Sequence, residues 1–112
     1  MDKIETYRKA IIASLKEYKE QFGQTSQGIH PQILIDDKND HYQFLWLGWK
    51  GDCQIFSVPV HVDILGNKIW IQQDNTEEGI ANLLVKKGIP KSDIVLAYYS
   101  PAHRKLTEFA VS

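Results

Sequence analysis

From Ile4 to Phe22 the large apolar residues recur every three or four positions: Ile4, Tyr7, Ile11, Leu15, Tyr18 and Phe22. That period predicts one amphipathic helix over the first 22 residues, with a single stripe for burial. Asp2 offers an N-cap, Glu5 stands three residues later at the capping-box position, and Gly23 supplies the stop. Residues 24–31 carry no such period and read as a connecting loop.

Beyond this loop the helical period gives way to strand patterns, and four segments follow: 32–36, 41–49, 54–64 and 68–73. The second is rich in aromatic residues. The third alternates, with Phe56, Val58, Val60, Val62 and Ile64 on one side. Pro59 lies inside it and marks an edge, a bulge or a break. Gly66-Asn67, between the third and fourth segments, is a two-residue hairpin signal. With that turn as the hinge, Ile64 faces Ile69, Val62 faces Ile71, Asp63 faces Trp70 and His61 faces Gln72. With Gly51-Asp52 as the preceding turn, Leu47 faces Phe56 and Leu45 faces Val58. The predicted sheet therefore has an aliphatic side, which receives the N-terminal helix. Its other side carries Tyr42, Phe44, Trp46, His61, Asp63, Trp70 and Gln72.

A second helix is expected to begin in Asp74-Asn75-Thr76-Glu77-Glu78, where capping residues are followed by carboxylates that suit the positive end of a helix dipole. Ile80, Leu83 and Leu84 give its buried side, and Gly88 with Pro90 ends it. Residues 93–99 read as a fifth strand or a buried extended segment, and the tail from Ser100 has no diagnostic period. These elements imply an α+β fold. An antiparallel sheet of four to five strands carries the N-terminal helix on one face, and a second helix follows the central hairpins. A chain of 112 residues suits one domain over 1–112.

Composition narrows the setting. Hydrophobic residues at 43% and charged residues at 24% are ordinary for a globular chain. No apolar run approaches the roughly 20 residues that span a bilayer, and the charged N-terminus does not resemble a signal peptide. Cys53 is the single cysteine, which excludes an internal disulfide and points to a reducing, cytoplasmic compartment. Thirteen basic against 14 acidic residues leave a net charge of −1, and Arg8 and Arg104 are the only arginines. Direct DNA binders favour a basic, arginine-bearing stripe, so any role with DNA is expected to be indirect.

Candidate chemistry is sparse. His61 and Asp63 form an H-x-D pair on one strand face, and Asp40-His41 stands at a turn. Two histidines and two aspartates make a loose metal pattern, but no third ligand has a diagnostic spacing. We therefore expect a polar cluster rather than a metal or cofactor. Cys53 has no neighbouring base that would make it a nucleophile. Asp74, Glu77 and Glu78 are explained by capping, and no phosphate-binding glycine loop occurs. Trp46, Trp49 and Trp70 lack the interleaved basic residues of a base-stacking platform, which favours packing or an interface. Arg104 is expected to pin the tail through an ion pair with Glu108. No catalytic residue emerges. The residues expected to carry interaction are Tyr42, Phe44, Trp46, His61, Asp63, Trp70, Gln72 and Arg104.

One string is more specific than the composition around it. Lys68-Ile69-Trp70-Ile71-Gln72-Gln73-Asp74-Asn75-Thr76-Glu77, followed by Gly79-Ile80-Ala81, resembles the central signature of the XisI-like family. Gly88-Ile89-Pro90-Lys91, Asp93-Ile94-Val95-Leu96, Pro101, Arg104 and Thr107-Glu108-Phe109-Ala110 continue the likeness downstream. Asp40-His41-Tyr42-Gln43, Gly48-Trp49 and His61 extend it upstream, so it covers nearly the whole chain. Asn75 departs from the family's glycine, though asparagine also tolerates a positive φ. The turn Gly51-Asp52-Cys53 is less basic than the family pattern. The family is named for a controlling factor of fdxN element excision, a site-specific DNA rearrangement. The resemblance implies an accessory, non-enzymatic protein that binds a XisH-like partner. A homodimer is the expected assembly in the partner's absence. A direct DNA-binding factor, or an enzyme using the His61/Asp63 face, are the alternatives.

Overall fold

The structure, a computed structural model, describes residues 2–112. Helix α1 runs from Lys3 to Phe22, and the Asp2 carboxylate accepts the Ile4 backbone N–H at 3.0 Å as the cap requires. Tyr7, Ile11 and Leu15 are buried along the predicted stripe, whereas Phe22 at its end is exposed. At the other end the Gly23 N–H donates to Lys19 O at 2.7 Å, and a Cβ on Gly23 would sit 2.6 Å from that oxygen. Glycine stops the helix here through close approach.

The strands are β1 (Ile29–Asp36), β2 (His41–Lys50), β3 (Cys53–Leu65), β4 (Lys68–Asp74) and β5 (Ile94–Leu96), in that order across one sheet. The first four pair antiparallel through short turns, and Gly66 and Asn67 both have positive φ as the hairpin signal demanded. β1 is longer than the segment 32–36 anticipated. β5 runs parallel to β4, because the chain crosses over through α2 (Ile80–Lys86) before it re-enters the sheet. α2 starts later than expected. The segment Asp74 to Gly79 is a capping loop: Asp74 accepts from Thr76 N–H at 3.0 Å and from Ile80 N–H at 2.7 Å. The positive φ in this loop falls on Gly79 and not on Asn75. Residues from Ser100 onward form a short helix, α3 (Pro101–Arg104), capped by Ser100 and followed by a tail that bridges Ala110 to Val95.

Two bulges change which side chains share a face. Trp46 pairs with Ser57 but Phe44 pairs with Val60, so Val58 and Pro59 together oppose Leu45. Proline tolerates this position because a bulge needs no ladder donor there. Leu47 faces Phe56 as predicted, yet the extra residue shifts every pair below it by one: Gln43 meets His61 and Tyr42 meets Val62. A one-residue shift moves a strand's side chains to the other face. The second bulge, between His61 and Val62, sets His61 opposite Gln73 instead of Gln72. The predicted grouping of Tyr42 and Phe44 with His61 and Asp63 is therefore corrected. Tyr42 and Phe44 are fully buried with Val60, Val62, Ile69 and Ile71 under α1 and α2. Trp46 follows them to that side and meets Phe44 edge-on at 5.4 Å between ring centroids. Phe56 leaves the aliphatic row for the opposite face.

Partly buried polar contacts tie α1 to this core. Arg8 grips the Asp40 carboxylate with two nitrogens, Nε at 2.7 Å and Nη2 at 3.2 Å, and the Tyr42 hydroxyl donates to the same group at 2.9 Å. The Tyr7 hydroxyl donates to Asp93, which also pairs with Lys3 at 3.0 Å.

Candidate functional site: the open face of the sheet

α1 and α2 both pack on one side of the sheet, where Ile11, Leu15, Ile80 and Leu84 join the same buried cluster. The opposite side is assembled by strand register. His41, Asp63, Trp70 and Val95 form one row across β2 to β5, and Gln43 and His61 form part of the next. Leu34, Leu47 and Phe56 extend the same face toward β1 and the distal hairpin, with Trp49 on the alternation of Leu47.

The tail covers only the β4–β5 end of this face. The Arg104 guanidinium lies over the Trp70 ring, 5.5 Å from its centroid. Its nitrogens donate to Tyr99 O at 3.0 Å, Ala97 O at 3.3 Å and Val111 O at 3.4 Å. Arg104 thus pins the tail, as expected, but through carbonyls. The expected partner Glu108 pairs with Lys91 at 2.6 Å.

Toward β1 the face stays open. Phe56 is 69% exposed, Trp49 56% and Leu34 50%. Between this apolar area and Trp70 lies a polar cluster. Asp63 Oδ1 is 2.7 Å from His41 Nδ1 and 2.8 Å from His61 Nε2. Gln72 Nε2 donates to Asp63 Oδ2 at 3.3 Å, and Gln43 Nε2 lies 2.8 Å from His61 Nδ1. The hydrogen bond to Asp63 raises the pKa of His41, opposed by partial desolvation. Behind the sheet, Arg8 holds the Asp40 carboxyl below its usual range.

Of the residues singled out from the sequence, His61, Asp63, Trp70 and Gln72 share the open face, and Arg104 caps its covered end. Tyr42, Phe44 and Trp46 belong to the core side. Leu34, Leu47, Trp49 and Phe56 replace them, and the signal that could have placed them was Pro59. Cys53 is exposed at the distal turn. A separate hollow of about 260 Å³ lies between the end of α1 and the capping loop, lined by Tyr18, Phe22, Thr76, Glu77, Gly79 and Leu83 among others.

This architecture recurs in known proteins. The chain matches the family described as XisI protein over residues 1–111. It belongs to the XisI family. The crystal structure of a XisI-like protein from Anabaena variabilis ATCC 29413 superposes with a TM-score of 0.90 at 32% identity, over 97% of this chain and 99% of that one. The fdxN element excision controlling factor XisI from the same organism gives a TM-score of 0.89 at 32% identity, over 99% and 100% of the two chains. No curated protein matches. The α+β expectation and the XisI-like resemblance both hold, with a parallel fifth strand added to the antiparallel sheet. The XisI family carries the name of an excision controlling factor, which accords with a regulatory role. No described helix is long and apolar enough to cross a membrane.

Proposed function

We propose that the protein is a non-catalytic controlling subunit of a site-specific DNA excision or related nuclease system. It acts by binding a XisH-like partner protein through the open face of its sheet. The observation that supports this most is the group of exposed apolar side chains, Leu34, Trp49 and Phe56, set beside the His41–Asp63–His61 cluster. Exposed aromatic groups with interspersed polar partners match the composition of interface cores, and contiguous apolar patches usually mark interaction sites. His61, Asp63, Gln72 and Trp70 contribute the polar and covered end of that surface, and Arg104 holds its rim. Without the partner, a second copy of the chain occupies the face as a homodimer. The single cysteine accords with work in the reducing cytoplasm. The near balance of 13 basic and 14 acidic residues supports contact with DNA only through the partner.

Co-elution tests the proposal. A XisH-like protein mixed with the wild-type chain should travel with it on size exclusion, and Phe56→Glu should abolish co-elution while its circular dichroism stays that of the folded protein. Undiminished co-elution of Phe56→Glu would refute the assignment of this face.

A further inference from the structure

The polar cluster does more than decorate the open face. Spacing along the sequence left His61 and Asp63 without a third ligand. The register of β2 against β3 supplies one, because His41 lies directly opposite Asp63. His41 Nδ1, His61 Nε2 and an Asp63 carboxylate oxygen all lie within 4.8 Å of one another. We propose that these three residues form a binding site for one divalent transition-metal ion of the zinc type, a site that lies on the open face but does not depend on a partner docking there.

Three features of the donors carry this inference. The donor set is two imidazoles and one carboxylate, which selects zinc-like ions over the all-oxygen sites of magnesium and calcium. An ion held about 2.0–2.2 Å from each donor needs the donors roughly 3–3.5 Å apart. Here the Asp63 oxygen is 2.7 Å from one ring nitrogen and 2.8 Å from the other, and the two nitrogens lie within 4.8 Å of each other, so modest side-chain shifts would bring the three to that spacing. The donors also stand on paired strands, which hold a site more tightly than a loop does.

The outer contacts suit the same role. Gln43 lies at the second ring nitrogen of His61, and Gln72 bonds the second oxygen of Asp63. The Gln43 amide nitrogen donates to His61 Nδ1, which fixes the ring and puts its proton on Nε2 toward Asp63, where a bound metal would displace it. Burial is graded: the Asp63 side chain is 13% exposed and that of His41 52%, which gives an ion an entry side. An ion held there would keep a fourth position for water on that side. Among the described residues, no lysine or arginine pairs with the Asp63 carboxylate. A bound cation would neutralise it.

The test is calorimetric titration of the chelator-treated, full-length chain with zinc chloride at neutral pH, with Co²⁺ as the spectroscopic stand-in. The expected result is one ion per chain and a visible Co²⁺ band of a nitrogen–oxygen site. His41→Ala, at an exposed position that leaves the fold intact, should remove the band, and Gln43→Ala should weaken binding about ten- to a hundredfold. The proposal is overturned if the wild-type chain shows no saturable binding. It is also overturned if the His41→Ala/His61→Ala variant binds as tightly as wild type, which would move the ion to His30, His103 or Cys53.

Discussion

The two faces of the sheet use the same residue types for opposite ends. On the helix-covered side Phe44 is fully buried, with Tyr18 edge-on at 4.8 Å and Trp46 at 5.4 Å between centroids. On the other side Phe56, from the neighbouring strand, is the most exposed phenylalanine of the sheet. Both rings sit in alternating apolar strands, and one bulge at Val58–Pro59 decides which way each points. Hydrophobic residues at strand spacing therefore do not reveal their task until the register is known. Below the bulge they hold the fold together, and beyond it they face outward.

The largest effect should come from the covered face. Phe44→Ala should cost about 3–5 kcal/mol, and Leu15→Ala about 2–5 kcal/mol, in urea unfolding, because each empties a closed core site. Either variant with an unchanged midpoint would mean that α1 does not pack on the sheet as described. Arg104→Ala should come next. It removes donors to three carbonyls and the cap on Trp70, a loss of about 1–3 kcal/mol at most, seen as faster amide exchange at Ile94 and Ala110. Lysine should not restore it, since its single ammonium cannot reproduce the fork.

A pH dependence belongs to the covered face as well. The Tyr7 hydroxyl, and then Lys3, hold the Asp93 carboxyl below its ordinary value. A carboxyl with a depressed folded-state pKa stabilises the fold above the unfolded value of about 3.9. That contribution is lost as pH falls below this value and through the folded-state pKa. Asp93→Asn should therefore flatten the acid limb of stability against pH, and an unaltered acid limb would exclude the contact as a contributor. The smallest effect should be Phe56→Ala, within about 0.5 kcal/mol of wild type in the isolated chain. A loss as large as that of Phe44→Ala would erase the contrast between the faces.

Much of the covered face was legible in the sequence. The three- and four-residue spacing from Ile4 to Leu15 depends only on local geometry, and so does the turn at Gly66-Asn67. Pairings adjacent to each turn were also correct, as with Leu47–Phe56 and Ile64–Ile69. The face of Tyr42 and Phe44 was not, because hairpin counting assumes an uninterrupted ladder and Pro59 breaks it. Proline marked the irregularity without giving its size. The start of α2 was misplaced for a different reason: Asp74 caps at a distance of six residues, across a loop stabilised by Thr76 and Gly79. The His41–Asp63–His61 cluster needed a neighbouring strand, so residue spacing along one segment could not assemble it.

Hydroxyl-radical footprinting of the chain, alone and with a XisH-like partner, addresses the division of labour between the faces most directly, because it reads side chains and not backbone. Leu34, Trp49 and Phe56 should lose reactivity on binding, while exposed Phe22 at the end of α1, on the helix-covered side, keeps its own. Protection of Phe22 with Trp49 and Phe56 unchanged would contradict this division.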